Sequence, residues 1–176
     1  LVELMGGHIQ VESDLGEGSS FRFELPFELS DAPAQVQPEL PDIPREQLGR
    51  KSWALVVEDN EVNQKVSTTL LNKLGFETDT ANNGQEAVDK VKNKHEGYDV
   101  ILMDCQMPVM DGYQATRMIR EWEQGNGQCG TQIIALTADV STETEASCRA
   151  SGMNDYIPKP VRRETLREVL SRWIRL

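Results

Sequence analysis

From Trp53 onward, short apolar runs and amphipathic helical runs alternate five times, and no other feature constrains the fold so strongly. The expected strands are Trp53–Val57, Glu77–Thr80, Asp99–Met103, Gln132–Leu136 and Asp155–Ile157. Between them, Asn60 can cap a helix reaching Leu74, with Val62, Val66, Leu70 and Leu74 along one face and Gly75 as its stop. Asn83-Gly84-Gln85-Glu86 fits a capping box ahead of Ala87, Val88 and Val91. Asp111 can cap a helix bearing Ala115, Met118, Ile119 and Trp122, and a polar helix is expected over 141–151. The last helix places Leu166, Val169, Leu170, Trp173 and Ile174 on one stripe.

Strands that are continuously apolar rather than alternating belong to a parallel sheet covered on both faces. Right-handed crossovers leave few ways to connect them. The expected architecture is α/β: a doubly wound, flavodoxin-like five-stranded sheet of order 2-1-3-4-5 with five helices. Its switch point lies between the first and third strands, so Glu58-Asp59 and Asp104 become neighbours at the strand carboxyl ends.

The first fifty residues differ. Gly6–Ser13 and Ser20–Pro26 alternate apolar and polar residues around a Gly-rich turn, the signal of a β-hairpin. One hairpin is marginal in water, so residues 1–27 are expected to belong to a larger sheet. Residues 28–50 carry Pro33, Pro38, Pro41 and Pro44 in an acidic stretch without period, which reads as a linker. Residues 51–176 form the remaining domain. The chain starts mid-pattern without Met and is expected to be a piece of a longer protein.

The net charge of −11 is uneven: residues 1–50 carry ten acids against three bases, and residues 51–176 carry nineteen against fifteen. With no basic stripe, nucleic acid is not expected as a partner. No apolar run approaches the ~20 residues that cross a bilayer, so no direct membrane contact is expected. Cys105, Cys129 and Cys148 lack metal-ligand spacing and are expected as reduced thiols.

Chemistry concentrates at the strand ends: Glu58-Asp59, Asp104, Thr137 and Lys159 each follow an apolar run. Carboxylates ~4 Å apart repel by about 4 kcal/mol at an effective dielectric of ~20, which raises their pKa values until a cation binds. Mg²⁺ (or Mn²⁺) suits such a site, since it engages few carboxylates and keeps waters. One acid then remains free to act as nucleophile.

Val56-Val57-Glu58-Asp59-Asn60, Leu102-Met103-Asp104, Leu136-Thr137-Ala138 and Lys159-Pro160, in that order, resemble the receiver domain of two-component signalling proteins from Ser52 to the end. Val56–Asn63 and Met103–Gly112 are especially similar to receivers fused to hybrid sensor kinases. The resemblance implies that Asp104 accepts a phosphoryl group from a histidine. It further implies that Asp59, Asp104 and the backbone carbonyl of Gln106 bind the metal, with Glu58 acting through a metal-bound water. Lys159 would contact a phosphoryl oxygen, its bond to Pro160 would be cis, and Thr137 would turn its hydroxyl to another phosphoryl oxygen. Tyr156 would be the aromatic switch, and Gln106 and Asp139 would tune the phosphoryl lifetime.

Residues 1–27 resemble the last strands of a histidine-kinase ATP-binding domain, through Leu4–Ile9, Val11-Glu12-Ser13 and Gly16–Phe21. The upstream kinase motifs are absent, and His8 and His95 match no phosphorylatable histidine, so ATP would serve only an intact parent kinase. The implied partners are a histidine-kinase phosphodonor domain and a histidine phosphotransfer domain. The implied location is cytoplasmic, within a parent anchored in the inner membrane. The alternative function is a docking module that regulates a kinase by contact without relaying phosphate.

Overall fold

The structure, a computed structural model, describes residues 6–14, 18–26, 52–127 and 130–174. The linker 28–50, Cys129 and the centre of the hairpin turn lie outside those residues. The chain separates into two units, one with the hairpin and one with the five-stranded sheet.

In the first unit, β1 (His8–Asp14) pairs antiparallel with β2 (Gly18–Glu24). The register sets Ile9 opposite Phe23 and Val11 opposite Phe21, so four apolar side chains share one face, and all four are exposed. His8 lies on the same hairpin and is exposed.

In the second unit, β3 (Trp53–Val57), β4 (Glu77–Ala81), β5 (Val100–Asp104), β6 (Gln132–Thr137) and β7 (Asp155–Pro158) form a parallel sheet of order β4-β3-β5-β6-β7. This is the expected 2-1-3-4-5 arrangement. Its helices are α1 (Glu61–Lys73), α2 (Gly84–Asn93), α3 (Gly112–Gly125), α4 (Thr142–Ser151) and α5 (Arg163–Trp173). Successive strand residues point to opposite faces, and both faces are dry. Ala54, Val56, Leu102, Ile134 and Ile157 pack with Leu71 of α1 and Leu166, Val169 and Leu170 of α5. Leu55, Val57, Ile101, Met103 and Ile133 pack on the other side with residues of α2, α3 and α4.

Side-chain caps start α1 to α4, at Asn60, Asn83 and Asp111 as expected and at Ser141 besides. Asn60 Oδ1 accepts from the Val62 and Asn63 amides, Asn83 from Glu86, Asp111 from Gln114, and Ser141 from Thr144. Gly152 closes α4 in the left-handed region at φ 95°. The capping box is modified: Glu86 accepts from the Asn82 amide and the Asn83 side chain.

Two expectations about helix faces need correction. Val62 and Val66 do not join the core; they are 70% and 45% exposed, while Ser67 and Leu71 are the buried residues of α1. A row spaced by four advances about 40° per step at 3.6 residues per turn, so it winds from solvent at Val62 to the core at Leu70 and Leu74. Trp173 is not packed inward like Leu166; it is 41% exposed, and its indole N–H donates to Asp155 Oδ2 at 3.0 Å. The indole polar edge finds its partner at the rim of the sheet.

Candidate functional site

Two strand ends supply the acids. Glu58 and Asp59 follow β3, and Asp104 ends β5 beside it in the sheet. One carboxylate oxygen from each lies within 4.8 Å of the others. Glu58 and Asp104 are buried, whereas Asp59 is exposed at the mouth. Lys159, just after β7, reaches both buried acids: its Nζ lies 2.7 Å from Glu58 Oε2 and 2.7 Å from Asp104 Oδ2. The Lys159–Pro160 bond is cis.

Burial pushes the Asp104 carboxyl above its ordinary value, and the Glu58 charge adds to that; Lys159 and the Gln106 amide offset only part. Lys159 is itself raised: its burial acts downward, but hydrogen bonds and charge from Asp104 and Glu58 outweigh it. One ammonium therefore faces more negative charge than it can neutralise. An all-oxygen donor set with excess negative charge fits a hard divalent cation, and Glu58, Asp59 and Asp104 would hold it.

The loop after β5 is tightly built. The Gln106 amide donates to Asp104 Oδ1 at 3.2 Å, and the Gly112 amide to the Cys105 carbonyl at 3.2 Å. A methyl group at Gly112 would overlap the Asp104 carbonyl oxygen, so α3 can start this close only with glycine. Val109, in the same loop, has φ 70° and is 84% exposed. That conformation is strained for a β-branched residue.

Thr137, at the end of β6, is buried beside the acids' side of the sheet, but its hydroxyl is engaged within its own loop. Oγ1 donates to the Asp139 carbonyl at 2.7 Å and accepts from the Asp139 amide at 3.1 Å. The Asp139 carboxylate in turn accepts from Ser141 at 2.9 Å and Thr144 at 3.4 Å, tying this loop to the start of α4. Tyr156 is half-buried against the core on the α2–α4 side. His95 is exposed after α2 and lies outside the pocket's residues.

Sequence reasoning missed two amides on α1. Asn63 Nδ2 donates to Glu58 Oε1 at 3.0 Å, and Gln64 Nε2 donates to the Glu58 carbonyl at 3.2 Å. Their placement three and four residues after the Asn60 cap, at the start of α1, was the available signal.

Residues 54–171 match the family described as the response regulator receiver domain. Hybrid signal transduction histidine kinase A of Dictyostelium discoideum is 40% identical over 120 residues, covering 68% of this chain and 6% of that protein. The autoinducer 2 sensor kinase/phosphatase LuxQ of Vibrio vulnificus is 35% identical over 170 residues, covering 97% of this chain and 19% of that protein. The chain thus spans only a small part of these relatives. Among solved structures, the receiver domain of a Pseudomonas aeruginosa sensor histidine kinase, with magnesium in its active-site cleft, is 42% identical with a TM-score of 0.63, covering 72% of this chain and all (100%) of that one. The receiver domain of Ssk1, crystallised with the histidine phosphotransfer protein Ypd1 of Saccharomyces cerevisiae, is 38% identical with a TM-score of 0.66, covering 70% of this chain and 88% of that one. With its pocket, sheet order and motifs all in place, the chain belongs to the response regulator receiver domain family.

Proposed function

We propose that Asp104 is the phosphoacceptor of a receiver that takes a phosphoryl group from a phosphohistidine in a two-component relay. The observation that carries this reading is the clustering of Glu58, Asp59 and Asp104 with Lys159 at adjoining strand ends. An Asp104 carboxylate oxygen attacks phosphorus in line, the P–N bond to the donor imidazole breaks, and the imidazole leaves and takes up a proton. The product is an acyl phosphate on Asp104. Lys159 stays paired with the new phosphoryl group through its ammonium, offsetting charge that grows in the transition state. Bound Mg²⁺, or Mn²⁺, supplies further neutralisation of the phosphoryl oxygens.

Thr137 and Tyr156 are the proposed reporters. Phosphorylation adds roughly −1.5 to −2 charge. The Thr137 hydroxyl can donate to a phosphoryl oxygen only by giving up the Asp139 carbonyl, which loosens the loop before α4. Tyr156, on the neighbouring strand, then repacks. Gln106 and Asp139 are the proposed tuners of phosphoryl lifetime.

The exposed valines on α1 and on the loop after β5, elements that directly follow the acids, support a helical partner. Val62 and Val66 stand on the outer face of α1 and strained Val109 on the loop after Asp104. An apolar rim around a charged centre suits a phosphohistidine helix from a kinase or a phosphotransfer domain. The hairpin is proposed to be the end of a kinase ATP-binding domain covering 1–27, joined by the linker 28–50 to a receiver at 51–176. ATP would act only in the intact parent. No helix among the described residues is long and apolar enough to cross a membrane; a cytoplasmic position within an inner-membrane-anchored parent is part of the same proposal.

The test mixes the chain and Mg²⁺ with a histidine phosphotransfer domain carrying labelled phosphohistidine. Label should move to a hydroxylamine-sensitive acyl phosphate on this chain. Binding without transfer would favour the contact-regulating module instead.

A further inference from the structure

We propose that Asn63 is a positioning residue for the metal site, holding one oxygen of the Glu58 carboxylate so that the other faces the cation. The inference rests on the reading of Glu58, Asp59 and Asp104 as a Mg²⁺ site. Glu58 is 1% exposed, and its two oxygens have different surroundings. Oε1 accepts from Asn63 Nδ2 at 3.0 Å, while Oε2 is buried with only the Lys159 ammonium, at 2.7 Å, beside it. A carboxylate oxygen can only accept, so the Asn63 amide must present its N–H here, whichever way the amide is drawn.

The backbone beneath this contact is fixed from three sides. The Glu58 amide donates to the Ala81 carbonyl at 3.0 Å, and Gln64 Nε2 donates to the Glu58 carbonyl at 3.2 Å. The Asn63 amide N–H donates to the Asn60 cap at 3.2 Å, which sets the start of α1 and therefore the aim of the Asn63 side chain. With so rigid a frame, the remaining freedom is rotation of the Glu58 carboxylate. Asn63 removes it. Without Asn63, Oε1 is a buried acceptor lacking a donor, and the carboxylate is free to rotate so that Oε1 also seeks the Lys159 ammonium, which Oε2 already meets. That rotation takes Oε2 out of its aim at the cation. Partners that orient metal ligands in this way are worth about 10–100-fold in affinity.

The experiment is Mg²⁺ titration followed by amide shifts at Asp59 and Gln106, on wild type, Asn63→Leu, Glu58→Gln and the double variant. Leu keeps the volume and helix preference of the site while removing the donor; Asn63→Ala serves as a second variant. Metal-free unfolding midpoints are recorded alongside. Asn63→Leu and Asn63→Ala should each weaken Mg²⁺ about tenfold. In the Glu58→Gln background, Asn63→Leu should weaken it by less than about twofold, because the two act through one carboxylate. Wild-type affinity in both Asn63 variants would overturn the inference while leaving the metal site standing. So would effects that multiply in the double variant, the mark of a general loss of helix stability. No Mg²⁺ binding by wild type would overturn the metal reading and this inference with it.

Discussion

At the scale of single residues, the pocket is a charge imbalance held in place by one lysine. Lys159 touches both buried acids, and no other cation among the described residues is paired with them. Removing one member of a buried ion pair costs about 3–5 kcal/mol, and less where the group keeps some water, as Lys159 does. Lys159→Met should therefore lower metal-free stability by roughly 2 kcal/mol, and saturating Mg²⁺ should restore part of it. Urea unfolding with and without Mg²⁺ measures both, and a variant as stable as wild type would show that the acids need no counterion. Val109 makes the opposite case. A β-branched residue held at φ 70° costs about 1–3 kcal/mol, and glycine returns some of that as backbone entropy. Val109→Gly should raise stability by roughly 1 kcal/mol, because so exposed a side chain loses little burial. A lower unfolding midpoint would mean that the valine packs usefully.

At the scale of elements, strand positions and caps were legible in the sequence because each depends on local chemistry: apolar runs for the sheet, Asn60, Asn83 and Asp111 for the helix starts. The outward turn of Val62 and Val66 was not legible, since it depends on how α1 is rotated against β3 and β4. Trp173 likewise depended on a distant acceptor, Asp155. A cluster at the opposite end of the strands was also hidden. Asp79 on β4 accepts from Lys94 Nζ and from the Tyr98 hydroxyl, each at 2.8 Å, and Lys94 lies 3.3 Å from the Trp53 ring centroid. The contacting pairs are 15 to 41 positions apart, and the sheet order brings β3 and β4 together beneath them. Burial alone would raise the Asp79 carboxyl; the Lys94 and Tyr98 hydrogen bonds and the Lys94 charge win and hold it below its ordinary value. An acid depressed on folding stabilises the fold above its unfolded pKa, and that contribution fades as pH falls through the folded value. Asp79→Asn should thus cost stability at neutral pH and show a shallower loss than wild type below about pH 4. Parallel acid limbs in the two proteins would contradict this.

At the scale of the whole molecule, topology does what no local segment could. Three strand ends, spread from Val57 to Pro158, bring three acids and one lysine to one crevice. The order of strands that places β3 beside β5 was readable from the alternation of elements; the competition of Glu58 and Asp104 for one ammonium was not, because it is set by side-chain reach across that crevice. Asn63 was invisible for a similar reason, standing as an ordinary polar residue in the first turns of α1. The Thr137 hydroxyl, expected to turn to a phosphoryl oxygen, bonds to the Asp139 carbonyl, which gives a phosphoryl group something to displace. Everything in this account depends on Asp104 being the acceptor. Wild type and Asp104→Asn should be treated with acetyl phosphate and Mg²⁺, and the labelled position mapped by mass spectrometry after hydroxylamine trapping. One hydroxylamine-sensitive acyl phosphate is expected, on Asp104, and none in Asp104→Asn; labelling of Asp104→Asn at the wild-type level would contradict Asp104 as the acceptor.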